Sequence, residues 1–201
     1  MRITKVAPAA KTPGRYNIFI DGQYSFSLDE LQLVQAGIHS GLEIDDEQLA
    51  KLRNESEFGK NYIRAIDLIS RRLRSEKEIR DYARRKDWTP DNTDRVIDRL
   101  KDKGYLNDKV FAEAFVRSRQ NAGKYSQRRI ELDLRRKGIA DTIIKEILRD
   151  EVDDTDALRK LIAKRAKRYD DVNKLKAYLL RAGFNYDDIN REISEYCDGS
   201  N

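Results

Sequence analysis

Histidine and cysteine each occur once among the 201 residues, as His39 and Cys197, and that scarcity removes whole classes of chemistry. Zinc sites draw on several such side chains at close spacing, and none can be assembled here. His39 has no orienting partner at a triad spacing, so no catalytic role is assigned to it. A single thiol forms no internal bridge, which excludes a disulfide framework and points to a reducing compartment. Cys197 is read as incidental. No Gly-rich phosphate loop is present. No stretch approaches the roughly 20 apolar residues of a membrane span. The opening MRITKVAPAAKTPGRYNIFI lacks the uninterrupted apolar core of a secretory signal, so a cytoplasmic location is expected. No catalytic residue, metal ligand or cofactor is assigned, and the expectation is of a protein that is not an enzyme.

Acidic residues are plentiful, yet they occur as Asp153-Asp154, Asp170-Asp171 and Asp187-Asp188, each where a helix should begin. Carboxylates there oppose the positive helix end, so capping is preferred to metal binding.

What the chain does have is charge and repetition. Apolar residues make up 39% and charged residues 38%, which implies strongly amphipathic, heavily solvated helices and an elongated molecule. Lys and Arg number 7 against 9 Asp and Glu in residues 1–60, 24 against 17 in 61–152, and 10 against 10 in 153–201. Positive charge is therefore concentrated mid-chain, a pattern suited to an anionic partner.

One helical phrase is written three times, as Ile79-RDYARRKD-Trp88, Ile130-ELDLRRKG-Ile139 and Leu175-KAYLLRAG-Phe184. Its first residues are 51 and then 45 positions apart. Such units are too small to bury their apolar faces alone and stack on neighbours, presenting a long binding surface. The expected fold is mainly α, a tandem array of three three-helix repeats, preceded by a small module containing a β-hairpin. The divisions fall at 1–57 for that module, then 58–106, 107–152 and 153–201. Helices are expected near 58–72, 75–86 and 90–103, then 107–122, 126–137 and 140–150, then 153–168, 171–182 and 186–196.

Within the first module, RYNIFIDGQYSFSL alternates about Asp21-Gly22, a type I′ turn pair. Ile3 to Val6 offers a third strand. Ser27 and Glu30 read as a capping box, Gly37 as a helix stop, and residues 46–58 as a link to the array. In the array, Thr89-Pro90, Asp108 and Asp154 suit helix starts, and Gly104, Gly138 and Gly183 suit left-handed ends, with Asp87 replacing Gly in the first copy. Trp88, Ile139 and Phe184 are expected in the core, with Tyr82 and Tyr178 packing nearby.

The candidate binding residues are basic. Arg84, Arg85, Arg135, Arg136 and Lys137 sit at the last turn of a middle helix, where they also compensate its dipole. Arg71, Arg72, Arg74, Arg117, Arg119, Lys124, Arg128 and Arg129 gather about the turn from first to middle helix and exceed that need. Stacking would align them as a stripe for a polyanion or acidic partner. Tyr125, between Lys124 and Arg128, is the aromatic expected to be exposed for contact.

Gly104-YLND-Lys109, Phe111-AEAFVRSR-Arg119 and Leu134-RRKGI-Ile139, in that order, resemble the RecX family of recombination regulators. The resemblance covers roughly residues 60–196 and extends to the hairpin module. It implies a non-enzymatic, cytoplasmic protein that binds the RecA recombinase filament on DNA, along its groove, and mostly inhibits recombinase, ATPase and co-protease activity. DNA repair, recombination and the SOS response follow as its setting, with a monomer and weak direct DNA binding. The rival expectation is a general DNA-binding repeat protein acting without RecA. The third repeat, which is neutral, departs from the pattern and is read as a packing cap or protein contact.

Overall fold

The computed structural model describes residues 1–10, 12–148, 154–169 and 171–198. Three strands, β1 (Ile3–Pro8), β2 (Arg15–Ile20) and β3 (Gln23–Asp29), form an antiparallel sheet in the order β1-β2-β3. Asp21 and Gly22 both take positive φ, 47° and 83°, as a type I′ turn demands. Ile3, Ile18, Ile20, Phe26 and Leu28 turn inward together, so the expected hairpin and its third strand are present.

The next helix begins later than the Ser27 capping box would have it. Ser27 is held in the ladder opposite Asn17, and β3 runs on to Asp29 opposite Arg15. The cap of α1 (Glu30–Gln35) is therefore Asp29, which accepts from Gln32 N at 2.8 Å while Gln32 Oε1 accepts from Asp29 N at 3.0 Å. Ser27 instead serves the buried Arg15 guanidinium, whose Nε donates to its hydroxyl at 3.1 Å and whose Nη2 donates to its carbonyl.

Residues 46–58 are no separate link. Asp45 caps a single helix, α2 (Asp46–Arg71), and the 57/58 division lies inside it. Leu49 and Leu52 of its first half close the core under the sheet. Phe58, Tyr62, Ala65, Ile66 and Ile69 of its second half join Ile79, Ala83, Trp88, Val96, Ile97 and Leu100 in another core. One helix thus serves two cores, each buried aliphatic contributing roughly 1.5–3 kcal/mol of transfer free energy.

The remaining helices are α3 (Glu76–Arg85), α4 (Pro90–Asp102), α5 (Asp108–Ala122), α6 (Gln127–Arg136), α7 (Asp141–Ile147), α8 (Thr155–Arg165), α9 (Val172–Arg181) and α10 (Tyr186–Asp198), with a short 3₁₀ turn over Ala166–Arg168. With the second half of α2 they make three successive three-helix groups, and each has its own apolar cluster. Trp88, Ile139 and Phe184 are all buried. Tyr82 packs edge-on against Trp88 at 5.7 Å, and Tyr178 lies 5.9 Å from Tyr169.

Helix starts follow the expected chemistry with shifts of a residue. Thr89 caps α4 ahead of Pro90. Asn107, not Asp108, caps α5, since its Oδ1 accepts from Lys109 N and Val110 N. Asp154 stands at the head of α8, where its carbonyl accepts from Leu158 N at 2.8 Å but its side chain makes no capping bond. Asp171 caps α9, accepting from Asn173 N at 2.8 Å. Asp187 and Asp188 fill the first turn of α10. Asp153 and Asp170 lie outside the described residues.

By its internal contacts the chain divides into two units, residues 1–73 with 79–106, and residues 74–78 with 107–201. The short segment that opens α3 therefore belongs with the second unit.

Candidate partner-binding surface

Within the second unit the same joint is built twice. In the first, the segment Arg74–Glu78 docks at the end of α6. Ser75 Oγ donates to the Lys137 carbonyl at 2.7 Å, and Glu76 N donates to Asp108 Oδ1 at 2.8 Å. In the second, the opening of α6 docks at the end of α9. Ser126 N donates to the Ala182 carbonyl at 3.1 Å, and Gln127 N donates to Asp154 at 3.2 and 3.0 Å. Asp108 and Asp154 thus satisfy the first free N–H of a neighbouring helix, which is why neither caps its own.

Gly138 and Gly183 make both joints possible. They hold φ of 80° and 96°, and a Cβ on either would collide with the docked segment. At Gly138 it would lie 2.7 Å from Lys77 Cβ; at Gly183, 2.6 Å from Arg129 Cβ and 2.5 Å from Ser126 Oγ. Asp87 takes the equivalent place in the first copy at φ 55° and is exposed. No close approach is needed there, and a residue with a Cβ is accommodated.

The basic candidates separate into occupied and open side chains. In the first unit Arg71 pairs with Asp67 at 2.8 Å and Arg84 with Asp81 at 3.1 Å. Arg85 Nε donates to the Asp81 carbonyl at 3.3 Å and Arg72 Nη1 to the Leu73 carbonyl at 2.9 Å. In the second unit Arg74 is half-buried beside Ser75. Arg129 approaches Asp133 at 3.2 Å, Arg136 approaches it at 3.8 Å, and Lys137 pairs with Glu78 at 2.6 Å. Arg135 is held between Asp141 at 2.9 Å and Glu131 at 2.7 Å. Its hydrogen bond to Asp141, with the charge of Glu131 behind it, raises the guanidinium above its ordinary range, and the same bond lowers the Asp141 carboxyl.

Arg119 and Tyr125 turn inward. The Arg119 guanidinium lies 4.9 Å from the Phe115 ring centre and 4.8 Å from that of Tyr125, and Tyr125 packs on the core of its group. The turn folds the ring back over the helix it has just left, so the aromatic expected to be exposed is half-buried. Arg117, Lys124 and Arg128 are exposed and form no ion pair among the described residues. Those three are the open cations of the original set.

Three sequence models of one family match the chain in order: the RecX N-terminal domain over residues 1–45, the first RecX three-helix domain over 62–100 and the second over 107–148. Together they take in more than half of the residues. The chain belongs to the RecX family. A regulatory protein RecX from Bacillus subtilis is 38% identical over 146 residues, 73% of this chain and 55% of its own length. The chain thus spans just over half the length of the curated RecX relatives it matches. A crystal structure of a regulatory protein RecX superposes with a TM-score of 0.74 at 25% identity, covering 96% of this chain and 98% of that one. RecX from Lactobacillus salivarius gives 0.56 at 35% identity over 69% and 95%.

Read as a RecX-family chain, the third group adds cations that the repeat phrase does not reveal. Lys160, Lys164, Lys167 and Arg168 are exposed without ion pairs among the described residues. They sit on α8 and the 3₁₀ turn after it, the segment matching the end of α5. Arg165 repeats the role of Arg119, standing 5.5 Å over the Tyr178 ring. The group is neutral in total, but several of its acidic residues pair elsewhere: Arg159 and Arg191 converge on buried Glu192 at 2.5 and 3.2 Å, and Asp188 and Glu195 pair with the same two arginines. The signal was in the sequence, as basic residues at spacing 4, 3 and 1 before Tyr169, and summing charge over the whole segment concealed it. Among the described residues no cluster of His, Cys, Asp and Glu could hold a metal ion, and no helix is long and apolar enough to cross a membrane. His39 is exposed.

Proposed function

We propose that this chain is a non-enzymatic regulator that binds the RecA filament on DNA and restrains its strand exchange, ATP hydrolysis and co-protease activity. It acts as a cytoplasmic monomer in DNA repair, recombination and the SOS response. The observation that carries the reading is the ordered match of three RecX domains. The chemistry on the surface supports it. Arg117, Lys124 and Arg128 present positive charge that no carboxylate among the described residues neutralises, and charge of that kind is free to meet phosphates or acidic side chains. The paired cations, including Arg71, Arg72, Arg74, Arg84, Arg85, Arg135, Arg136 and Lys137, contribute background potential more than contacts. Arg119, Tyr125 and Arg129 hold the surface in shape.

The test is RecA-catalysed, single-stranded-DNA-dependent ATP hydrolysis and strand exchange, titrated with this protein, with binding to bare DNA followed at the same salt. Inhibition at concentrations below those that occupy bare DNA is the expected result. Tight binding to bare DNA that collapses steeply with salt, with RecA unaffected, would overturn the reading in favour of a general DNA-binding repeat protein.

A further inference from the structure

The second joint differs from the first in what lies above it. A cleft of about 740 Å³ opens between α6 and the α9–α10 corner, with Gly183 and Phe184 among its lining residues. That size falls within the roughly 300–1,000 Å³ of clefts that hold ligands. Its walls carry Leu132, Leu180 and Tyr186, which are 40%, 44% and 56% exposed. Large apolar side chains gathered about one concavity are uncommon on a surface this polar and mark interaction sites.

The repeat shows that these residues are departures. Aligned on the repeated phrase, Leu180 and Tyr186 stand where the second group has Arg135 and Asp141, which bind each other at 2.9 Å. Leu132 stands where the first group has Asp81. An ion-paired position has become an unpaired apolar one, and the change falls on both walls of the same cleft. Arg128 and Arg181 stand at its rim, exposed and without ion pairs among the described residues. Glu131 and Arg135 in the wall already neutralise each other at 2.7 Å. Asp154 and Asp188 line a smaller cavity that shares Arg128, Gly183 and Phe184 with the cleft, and Asp188 pairs with Arg191 at 2.9 Å.

We propose that this cleft is a docking groove for an acidic peptide segment bearing a bulky apolar side chain. The apolar group enters between Leu132, Leu180 and Tyr186, and flanking carboxylates meet Arg128 and Arg181. Charge complementarity selects an anion, and the two leucines select a peptide over a polynucleotide, since nucleobases and phosphates gain little from aliphatic walls. The inference goes beyond the RecA reading, because it concerns binding of a peptide with no filament present.

The experiment is a two-dimensional ¹⁵N–¹H NMR titration of the whole protein with a short synthetic peptide of Asp and Glu around a central Leu and Phe. Saturable shifts of the amides of residues 128–135 and 180–186 are expected. Affinity should fall at least about tenfold in the Arg128→Ala/Arg181→Ala variant and disappear in Leu132→Asp/Leu180→Asp. All four sites are exposed, and an unchanged spectrum elsewhere shows that the fold survives. The proposal is overturned by any of three results: no shift in these segments at millimolar peptide, equal binding of a peptide with Gly in place of Leu and Phe, or tighter binding of oligo-dT at the same amides.

Discussion

The two joints of the second unit share a geometry and differ in chemistry. Both seat a serine-led helix start against a left-handed glycine and both lend an aspartate to a foreign N–H. Among the described residues only the first adds an ion pair, Lys137 with Glu78; the second has Ala182 and Arg129 at those positions. The second also leaves Leu132, Leu180 and Tyr186 exposed about the cleft above it. The joint is set by backbone groups and a missing Cβ, and these tolerate no exchange. Everything that surrounds the joint is free to vary, and the variation is where binding chemistry enters.

The largest effect expected is at the glycines. Gly138→Ala and Gly183→Ala each combine a left-handed L-residue with a collision in a packed site, and each should cost roughly 2–4 kcal/mol, measured by chemical denaturation. If either proved neutral, the close approach would not be what holds that joint. Asp87→Gly, at the matching place where the side chain is exposed, should shift stability by less than about 1 kcal/mol.

Acid should weaken the third group most, since its lowered carboxylate, Glu192, is buried whereas the lowered Asp141 of the second group is exposed. Hydrogen bonding from Arg159, assisted by Arg191, lowers the Glu192 carboxyl below its ordinary range. A lowered carboxylate contributes stability that is complete above the ordinary glutamate pKa and is lost as pH falls through the folded value. Hydrogen exchange in α8 and α10 should therefore accelerate more than in α5 and α6 on acidification, and Glu192→Gln should abolish the excess. Exchange that rises equally in α5 and α6 would contradict this.

Serine replacement comes next. Ser75→Ala and Ser126→Ala each remove a helix cap, and Ser75→Ala also strands the Lys137 carbonyl, at about 1 kcal/mol or somewhat more. Ser75→Ala should be the costlier of the two. The smallest effect is Lys137→Ala, which deletes a partly exposed pair worth about 0.2–1 kcal/mol and makes the first joint resemble the second. A large loss there would mean that the ion pair, and not the backbone, carries the first joint.

Much of this was legible from the residues. The Asp21-Gly22 hairpin, the three phrases and the buried Trp88, Ile139 and Phe184 follow from periodicity and turn chemistry, which are local. What depends on distant partners was not legible. Ser27 looked like a cap because its alternative, a ladder opposite Asn17, is set by another strand. Asp108 and Asp154 looked like caps of their own helices because their true acceptor role lies on helices 32 and 27 residues away in sequence. Tyr125 looked exposed because a turn position says nothing about where a ring folds. Among the basic residues, sequence marks charge but not occupancy, and Arg135 between two carboxylates reads the same as Arg128, which forms no ion pair among the described residues.

That distinction between occupied and open cations bears the functional account. The direct measurement is inhibition of RecA-filament ATP hydrolysis by Arg117→Ala/Lys124→Ala/Arg128→Ala beside Arg84→Ala/Arg136→Ala, in which both altered arginines are exposed but paired. The account predicts that the triple variant loses most of its inhibition and its salt dependence, while the double variant keeps both. Full inhibition by the triple variant, with unchanged salt dependence, would contradict it.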